Sequence, residues 1–180
     1  SISLLRFISG ASGVGRRMDS IRSAVAILGQ KEVKRWATVA ISMQLSEDRP
    51  GEISKLSLVR ARFAENLAPA YELGMQANSL FMAGLFSLLD VILEKPMSEA
   101  ITEVSVDERV QSALVDKTGP LYEVLELIYA YERADWDAVA INAIRNAADI
   151  GAVNQAFVDA LVWYKELLGS IETGDAEADE

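Results

Sequence analysis

The 180-residue sequence has no cysteine, no histidine and only four prolines. Without cysteine there is no disulfide framework, which is compatible with the cytoplasm. Without histidine the usual activated-serine arrangement cannot form. A metal site would consist of carboxylates and carbonyls alone, and such a ligand set suits magnesium or calcium better than zinc or iron. No run of about 18 uncharged apolar residues occurs, so no membrane span is indicated. The N-terminal residues also lack the pattern of a signal peptide.

Positive charge is scarce beyond the first third of the chain. Residues 1–62 carry 11 basic and 5 acidic side chains, whereas residues 63–180 carry 6 basic and 22 acidic ones, for a net charge of −10. This acidity argues against nucleic acid as the main partner, because binding to phosphates needs a basic surface. The asymmetry favours charge balance between the two parts, or solvated helix faces, over a binding patch. A candidate contact surface for a preceding domain comprises Arg16, Arg17, Lys31, Lys34 and Arg35.

Apolar residues recur with helical spacing throughout, and no alternating strand pattern competes with them. Half of the residues are hydrophobic, and the length suits one domain with a sizeable core. The sequence therefore predicts an all-α fold. The predicted helices cover residues 1–9, 20–29, 31–45, 53–68, 81–93, 97–103, 106–115, 120–134, 136–150 and 152–168.

The segment FMAGLFSLLDVILEKP, residues 81–96, is apolar almost all the way round a helix, which is typical of the buried centre of a helical domain. We expect it to be the most buried helix, capped by Asn78 or Ser79. Ala83 and Gly84 are small enough to let a neighbouring helix approach closely. Asp90 lies within this apolar helix, and an unpaired buried carboxylate is costly. We expect it to form a structural salt bridge, with Arg60 or Arg62 as the first candidate partners.

Two polar groups could have a chemical role. The glycine-rich loop Gly10–Arg17 could bind phosphate through its backbone amides, but it follows a helix rather than a strand and lacks the Gly-Lys-Ser/Thr ending. An ordinary interhelical loop is the favoured interpretation. Glu132, Asp135 and Asp137 could bind a hard cation or perform acid-base chemistry. Because they surround a helix junction, we expect Asp135 to cap a helix and the other two to be solvated.

The three tryptophans, Trp36, Trp136 and Trp163, lie on predicted helices at core-like positions. An exposed tryptophan could anchor a partner, because it offers a large apolar area. Burial is nevertheless the usual environment of this side chain. We therefore predict that all three are buried.

Three segments together carry a family resemblance: LVRARFAENLA at residues 58–68, the apolar helix at 81–93, and ELIYAYERADW at residues 126–136. In this order they resemble the HDOD domain, the HD-related output domain of bacterial signalling proteins, especially where it follows an EAL domain. Metal-dependent HD phosphohydrolases have a His-Asp pair in a GLLHDIG-like helix. The corresponding GLFSLLD has Ser87 and Leu88 at those two positions. The resemblance therefore implies no catalytic residue, no metal ligand and no cofactor.

The resemblance implies an all-α HDOD-like domain over residues 1–169 that is incomplete at its N-terminus, because complete HDOD domains have further helices before this point. Residues 170–180 are predicted to be an acidic, disordered tail. The implied function is a non-catalytic bacterial signalling module in the cytoplasm. It would act through contacts with a protein partner, an attached EAL-type cyclic-di-GMP phosphodiesterase domain or a second copy. Two alternatives stay open: a helical adaptor unrelated to HDOD, and a residual phosphohydrolase with an all-oxygen metal site.

Overall fold

A computed structural model describes the backbone of residues 51–104 and 106–176, and the side chains of these residues as far as Gly169. This part of the chain is α-helical and contains no strand, so the predicted all-α fold is confirmed. Short 3₁₀ turns occur at Gly74–Gln76 and Ile101–Glu103, and a π-helical turn occurs at Ser112–Asp116. The α-helices are α1 (Gly51–Leu67), α2 (Ala77–Phe86), α3 (Leu89–Leu93), α4 (Met97–Ala100), α5 (Glu108–Gln111), α6 (Pro120–Glu132), α7 (Trp136–Arg145) and α8 (Ile150–Ala176).

The chain divides into two compact units. One comprises Arg49–Val162 and the other comprises Ser1–Asp48 together with Trp163–Glu180. The predicted helices before residue 51, the loop Gly10–Arg17, the basic N-terminal cluster and Trp36 lie outside the described residues.

Helices α1 and α2 of the Arg49–Val162 unit approach each other closely. A Cβ atom added to Gly84 of α2 would lie 2.5 Å from the carbonyl oxygen of Arg60 and 2.7 Å from the Cα of Ala61, both in the backbone of α1. Only glycine fits at such a separation. The sequence prediction of a close helix contact at this position is therefore confirmed.

The apolar segment predicted as one helix forms two. Helix α2 ends at Phe86, and α3 begins at Leu89. Between them, the Ser87 hydroxyl donates to the carbonyl of Gly84 at 2.7 Å. The backbone of Leu88 then leaves the helical region, with φ −118° and ψ 15°. A serine that bonds to a preceding carbonyl competes with the regular helical pattern. The prediction of an uninterrupted helix over 81–93 is wrong.

The apolar character of this segment nevertheless corresponds to core packing. Four large side chains are at most 1% exposed: Leu80, Phe81, Phe86 and Leu89. Helix α6 provides a second row of fully buried side chains, which comprises Leu121, Val124, Leu125, Leu127 and Ile128. Within the described residues, one segment (Gly74–Leu93) is long and apolar enough to cross a membrane by length and composition. Its interruption at Ser87 and its buried large side chains are typical of the core of a folded domain.

The predicted cap of this segment is wrong. α2 begins at Ala77 after Gln76, which makes no side-chain capping bond. The 3₁₀ turn before it replaces a side-chain cap, since the amide of Ala77 already donates to the carbonyl of Gly74. The Ser79 hydroxyl instead donates to Asp107 at 2.6 Å.

The boundaries of the C-terminal helices follow local capping. Gly119, with φ +85°, precedes Pro120 at the first position of α6, as the sequence predicted. Asp135 caps α7 through the amide of Ala138, which confirms its predicted role. Asp149 caps α8, which continues to Ala176. Residues 170–176, part of the predicted disordered tail, are therefore helical, because no proline interrupts the growth of a helix that has already formed.

Candidate functional site

A polar cluster lies at the break between α2 and α3, where the resemblance places the lost His-Asp pair. It consists of Arg60, Ser87, Tyr129 and Glu132, and we call it the Arg60 cluster. Arg60 donates from Nε and Nη2 to the two carboxylate oxygens of Glu132, at 2.8 and 2.7 Å. Its Nη1 donates to the Ser87 hydroxyl at 3.1 Å. Its guanidinium carbon lies 5.0 Å from the centre of the Tyr129 ring, within cation–π distance.

The Arg60 cluster links α1 and α6 to the α2–α3 break through charge-assisted bonds. The Arg60 and Glu132 side chains are only 11% and 23% exposed, so water screens their attraction weakly. The planar guanidinium matches the carboxylate in a bidentate arrangement, which fixes the distance between the helices. Burial raises the pKa of the Tyr129 phenol, and the neighbouring guanidinium partly opposes this shift.

The bonding of Ser87 determines what this site can do chemically. Its hydroxyl donates to the Gly84 carbonyl and accepts from Arg60, so its proton already has an acceptor. These bonds hold α1, α6 and the α2–α3 break together.

The prediction that Arg60 or Arg62 pairs with Asp90 is wrong. Arg60 pairs with Glu132, and Arg62 pairs with Glu65 at 2.6 Å, one turn along the same helix. Asp90 lies in the first turn of α3, half-buried, and its carboxylate makes no ion pair within the described residues. The break after Phe86 shortens this helix, so Asp90 lies close to a helix end instead of within a long buried helix.

The ion pair of Glu132 was missed from the sequence, because this residue was expected to be a solvated charge. Its partner is 72 residues away in sequence, and only the packing of α1 against α6 brings the two together. A signal did exist: Arg60 and Glu132 each belong to one of the segments that carry the family resemblance. Asp135 is a helix cap and Asp137 is exposed. In the part of the chain that the structure describes, no group of three or more acidic residues is arranged to hold a metal.

A second polar network, not foreseen from the sequence, fixes α7 on α6. The buried Asn142 accepts a bond from the Tyr71 hydroxyl at 2.7 Å and donates to the backbone carbonyl of Glu123 at 3.0 Å. Arg145 binds the carboxylates of Glu123 and Glu126 at the end of the same helix. This network holds α7 against α6.

The outer side of α7 is unusually apolar for a solvent-exposed face. Ile144 is 80% exposed, Ile141 is 63% exposed and Trp136 is 57% exposed. The predicted burial of Trp136 is wrong, because this residue begins the helix on its exposed side; its ring contacts Tyr131 edge-on at 5.3 Å. Trp163, on α8, is half-buried. We call Trp136, Asp137, Ala140, Ile141 and Ile144 the α7 surface.

The model of the HDOD domain family matches residues 1–117, about two thirds of the chain. The chain belongs to the HDOD domain family. The match includes Ser87 and Leu88, and it confirms the family prediction. The alternative of a helical adaptor unrelated to HDOD is therefore wrong. The helices α6 to α8, and with them Glu132, follow the matched segment.

Two relatives of this HDOD chain align with 93% of its length. It is 29% identical to the cyclic di-GMP phosphodiesterase CdgJ of Vibrio cholerae and 30% identical to the uncharacterized protein YuxH of Bacillus subtilis. These alignments cover 39% and 41% of the relatives, so the chain spans about two fifths of their lengths. No solved structure matches the chain significantly.

Proposed function

We propose that this HDOD domain is a non-catalytic regulatory module that acts through protein contacts in bacterial cyclic-di-GMP signalling. The signalling context is supported by the CdgJ relative, which is named as a cyclic di-GMP phosphodiesterase. The chain corresponds to only 39% of that protein, which leaves room there for a separate catalytic domain. We therefore propose that the native partner is an attached EAL-type domain and that the module works in the cytoplasm.

The observation that carries the non-catalytic part is the bonding of Ser87. Hydrolysis of a phosphate ester needs either an activated nucleophile or a metal that generates hydroxide. Here the hydroxyl nearest the corresponding position is already bonded to a guanidinium and a backbone carbonyl. Both carboxylate oxygens of Glu132 already accept bonds from Arg60, so this carboxylate is not free to bind a metal ion. This arrangement supports a structural role for the site.

The first experiment tests the absence of chemistry. The purified chain is incubated with cyclic di-GMP and, separately, with p-nitrophenyl phosphate, each with magnesium or manganese. We expect no turnover above the buffer rate. Turnover that a chelator abolishes would refute the non-catalytic assignment and revive the phosphohydrolase with an all-oxygen metal site.

The second experiment tests regulation in the full-length native protein. Gly84→Leu, which cannot fit against the α1 backbone, is compared with Gly74→Ala, where no atom lies within 4 Å of the new Cβ. We expect the first variant to change cyclic-di-GMP hydrolysis and the second to leave it unchanged. Equal hydrolysis in both variants and the parent would contradict a regulatory role.

We also propose where the attached domain contacts this chain. The basic cluster of residues 16–35 is the predicted contact, although it lies outside the described residues. Reversing Lys34 and Arg35 to Glu should alter communication with the attached domain without affecting folding. If both hydrolysis and domain association stay unchanged, the cluster is ordinary solvated surface.

A further inference from the structure

The break between α2 and α3 interrupts a stretch that contains no helix-breaking residue. No proline or glycine occurs between Leu85 and Lys95, so nothing in this stretch requires the helix to stop. At the break, the amide of Ser87 bonds to the carbonyl of Gly84, three residues back, at 3.3 Å. Such a 3₁₀-type bond within a helical segment often marks a functional hinge. A position where the fold departs from its sequence pattern is also where a functional site is expected.

A side chain from another helix holds this break. Arg60 of α1, fixed by its two bonds to Glu132, donates from Nη1 to the Ser87 hydroxyl at 3.1 Å. That hydroxyl donates in turn to the carbonyl of Gly84 at 2.7 Å. In a continuous helix the same carbonyl would accept from the amide of Leu88, four residues on. The Ser87 hydroxyl therefore competes with the bond that would carry the helix through the break.

The two helices that meet at the break differ in how firmly they are held. Helix α2 is fixed at Gly84, which lies directly against the backbone of α1. Helix α3 has only five residues, and its Val91 side chain is 43% exposed. Asp90 lies in the first turn of α3, where a carboxylate is favoured by the positive end of the helix dipole, and a continuous helix would remove this advantage. A change at the break therefore redirects α3 and alters the surface around Val91.

We propose that the α2–α3 break is a two-state hinge. In the bent state, which the structure shows, Arg60 holds Ser87 and the helix is interrupted. In the straight state Arg60 releases Ser87, and residues 77–93 form one continuous helix. Burial of Leu89 and Ile92 favours the bent state in the isolated chain. The attached domain shifts the equilibrium by binding one state more tightly than the other. This inference rests on the proposed function, because it gives the regulatory module the change by which it passes on a signal.

Two substitutions at residue 87 test the hinge in the 180-residue chain. Ser87→Ala and Ser87→Gly both remove the hydroxyl and with it the bond to Arg60. Alanine favours a helix over glycine, by an amount that corresponds to an about fivefold difference in the ratio of straight to bent chains. The Cα chemical shift of Leu88, measured by NMR, follows this ratio because the backbone of Leu88 is helical only in the straight state. We expect a more helical shift in Ser87→Ala than in Ser87→Gly or the parent.

Arg60→Lys tests the same hinge without a change at residue 87, and it decides the question if a variant at residue 87 does not fold. Lysine keeps the positive charge that pairs with Glu132 but lacks the forked guanidinium that also reaches Ser87. The Leu88 shift should move toward helical values. The matched control is Arg62→Lys, at a second ion pair of α1. The control should leave the Leu88 shift unchanged.

Hydrolysis of cyclic di-GMP by the full-length native protein tests whether the hinge carries the signal. Ser87→Ala should change hydrolysis more than Ser87→Gly, because its helix is straight more often. A Leu88 shift that is the same in the parent, in both variants at residue 87 and in Arg60→Lys would overturn the hinge. Movement of Leu88 without any change in hydrolysis would leave the hinge standing and contradict the proposed regulatory function. Failure of the hinge and failure of the proposed function are therefore distinguishable.

Discussion

Replacement of Gly84 by alanine tests the packing at the centre of the domain. The new Cβ would lie 2.5 Å from the carbonyl oxygen of Arg60 and 2.7 Å from two backbone atoms of Ala61. Ordinary van der Waals contact begins at 3.4 Å, so α1 and α2 must separate by about 0.9 Å. All three opposing atoms belong to a helix backbone, which cannot rotate away as a flexible side chain could.

Two effects of opposite sign determine the magnitude. Overpacking of a tight core contact costs ~1–3 kcal/mol, and the upper end applies because separation of the helices also loosens the core side chains around them. Alanine stabilises a helix interior relative to glycine by ~1 kcal/mol. The net expectation is a loss of ~2 kcal/mol in the free energy of unfolding. For a chain of this size, that loss lowers the melting temperature by roughly 4–8 °C.

Thermal unfolding followed by circular dichroism measures this change. Gly74→Ala is the matched control, because nothing lies within 4 Å of its new Cβ. We expect the control to melt at or slightly above the parent temperature. If Gly84→Ala also melted at or above the parent temperature, the close contact between α1 and α2 would not exist as described.

Other substitutions distinguish the residues of the Arg60 cluster from ordinary surface and core residues. Ser87→Ala should lower the free energy of unfolding, measured in urea, by ~1–2 kcal/mol, because the hydrogen bonds to Arg60 and to the Gly84 carbonyl are lost. The control is Ser57→Ala, because the buried Ser57 hydroxyl has no hydrogen-bond partner among the described residues. This control should be neutral or stabilising. Glu132→Gln should lower the free energy of unfolding by ~2 kcal/mol in the same assay. The control is Glu103→Gln, because Glu103 pairs with Lys95 and both side chains are about half-exposed. This control should cost less than ~0.5 kcal/mol. Burial, with a smaller contribution from a nearby carboxylate, raises the pKa of the Tyr71 phenol above its ordinary value of about 10. The phenol therefore ionises at lower pH in the unfolded chain than in the folded one. Its contribution to the free energy of unfolding should not change with pH below pH ~10 and should decrease above it. In Tyr71→Phe the decrease above pH ~10 should be shallower. An unchanged alkaline slope in that variant would exclude this phenol as the cause.

Local patterns in the sequence determined the helices and several of their ends. The Gly119-Pro120 start of α6 and the Asp135 cap of α7 depend on residues within one turn, so they could be predicted without knowledge of the fold. The same applies to Gly84, because a small residue in a large apolar stretch indicates close backbone approach. The all-α class and the HDOD family follow from such patterns and from their order along the chain.

Interactions between distant residues were decided only by the tertiary structure. The sequence suggested Asp90 as a partner of Arg60, but the packing of α1 on α6 selected Glu132, 72 residues away. The break at Ser87 arises because its hydroxyl finds Arg60 on a neighbouring helix as well as a carbonyl in its own. Trp136 is exposed because α7 places its other side, around Asn142, against α6. The spacing of apolar residues shows which face of a helix is apolar. Whether a residue on that face is buried depends on where the neighbouring helices end, and that is a property of the folded chain.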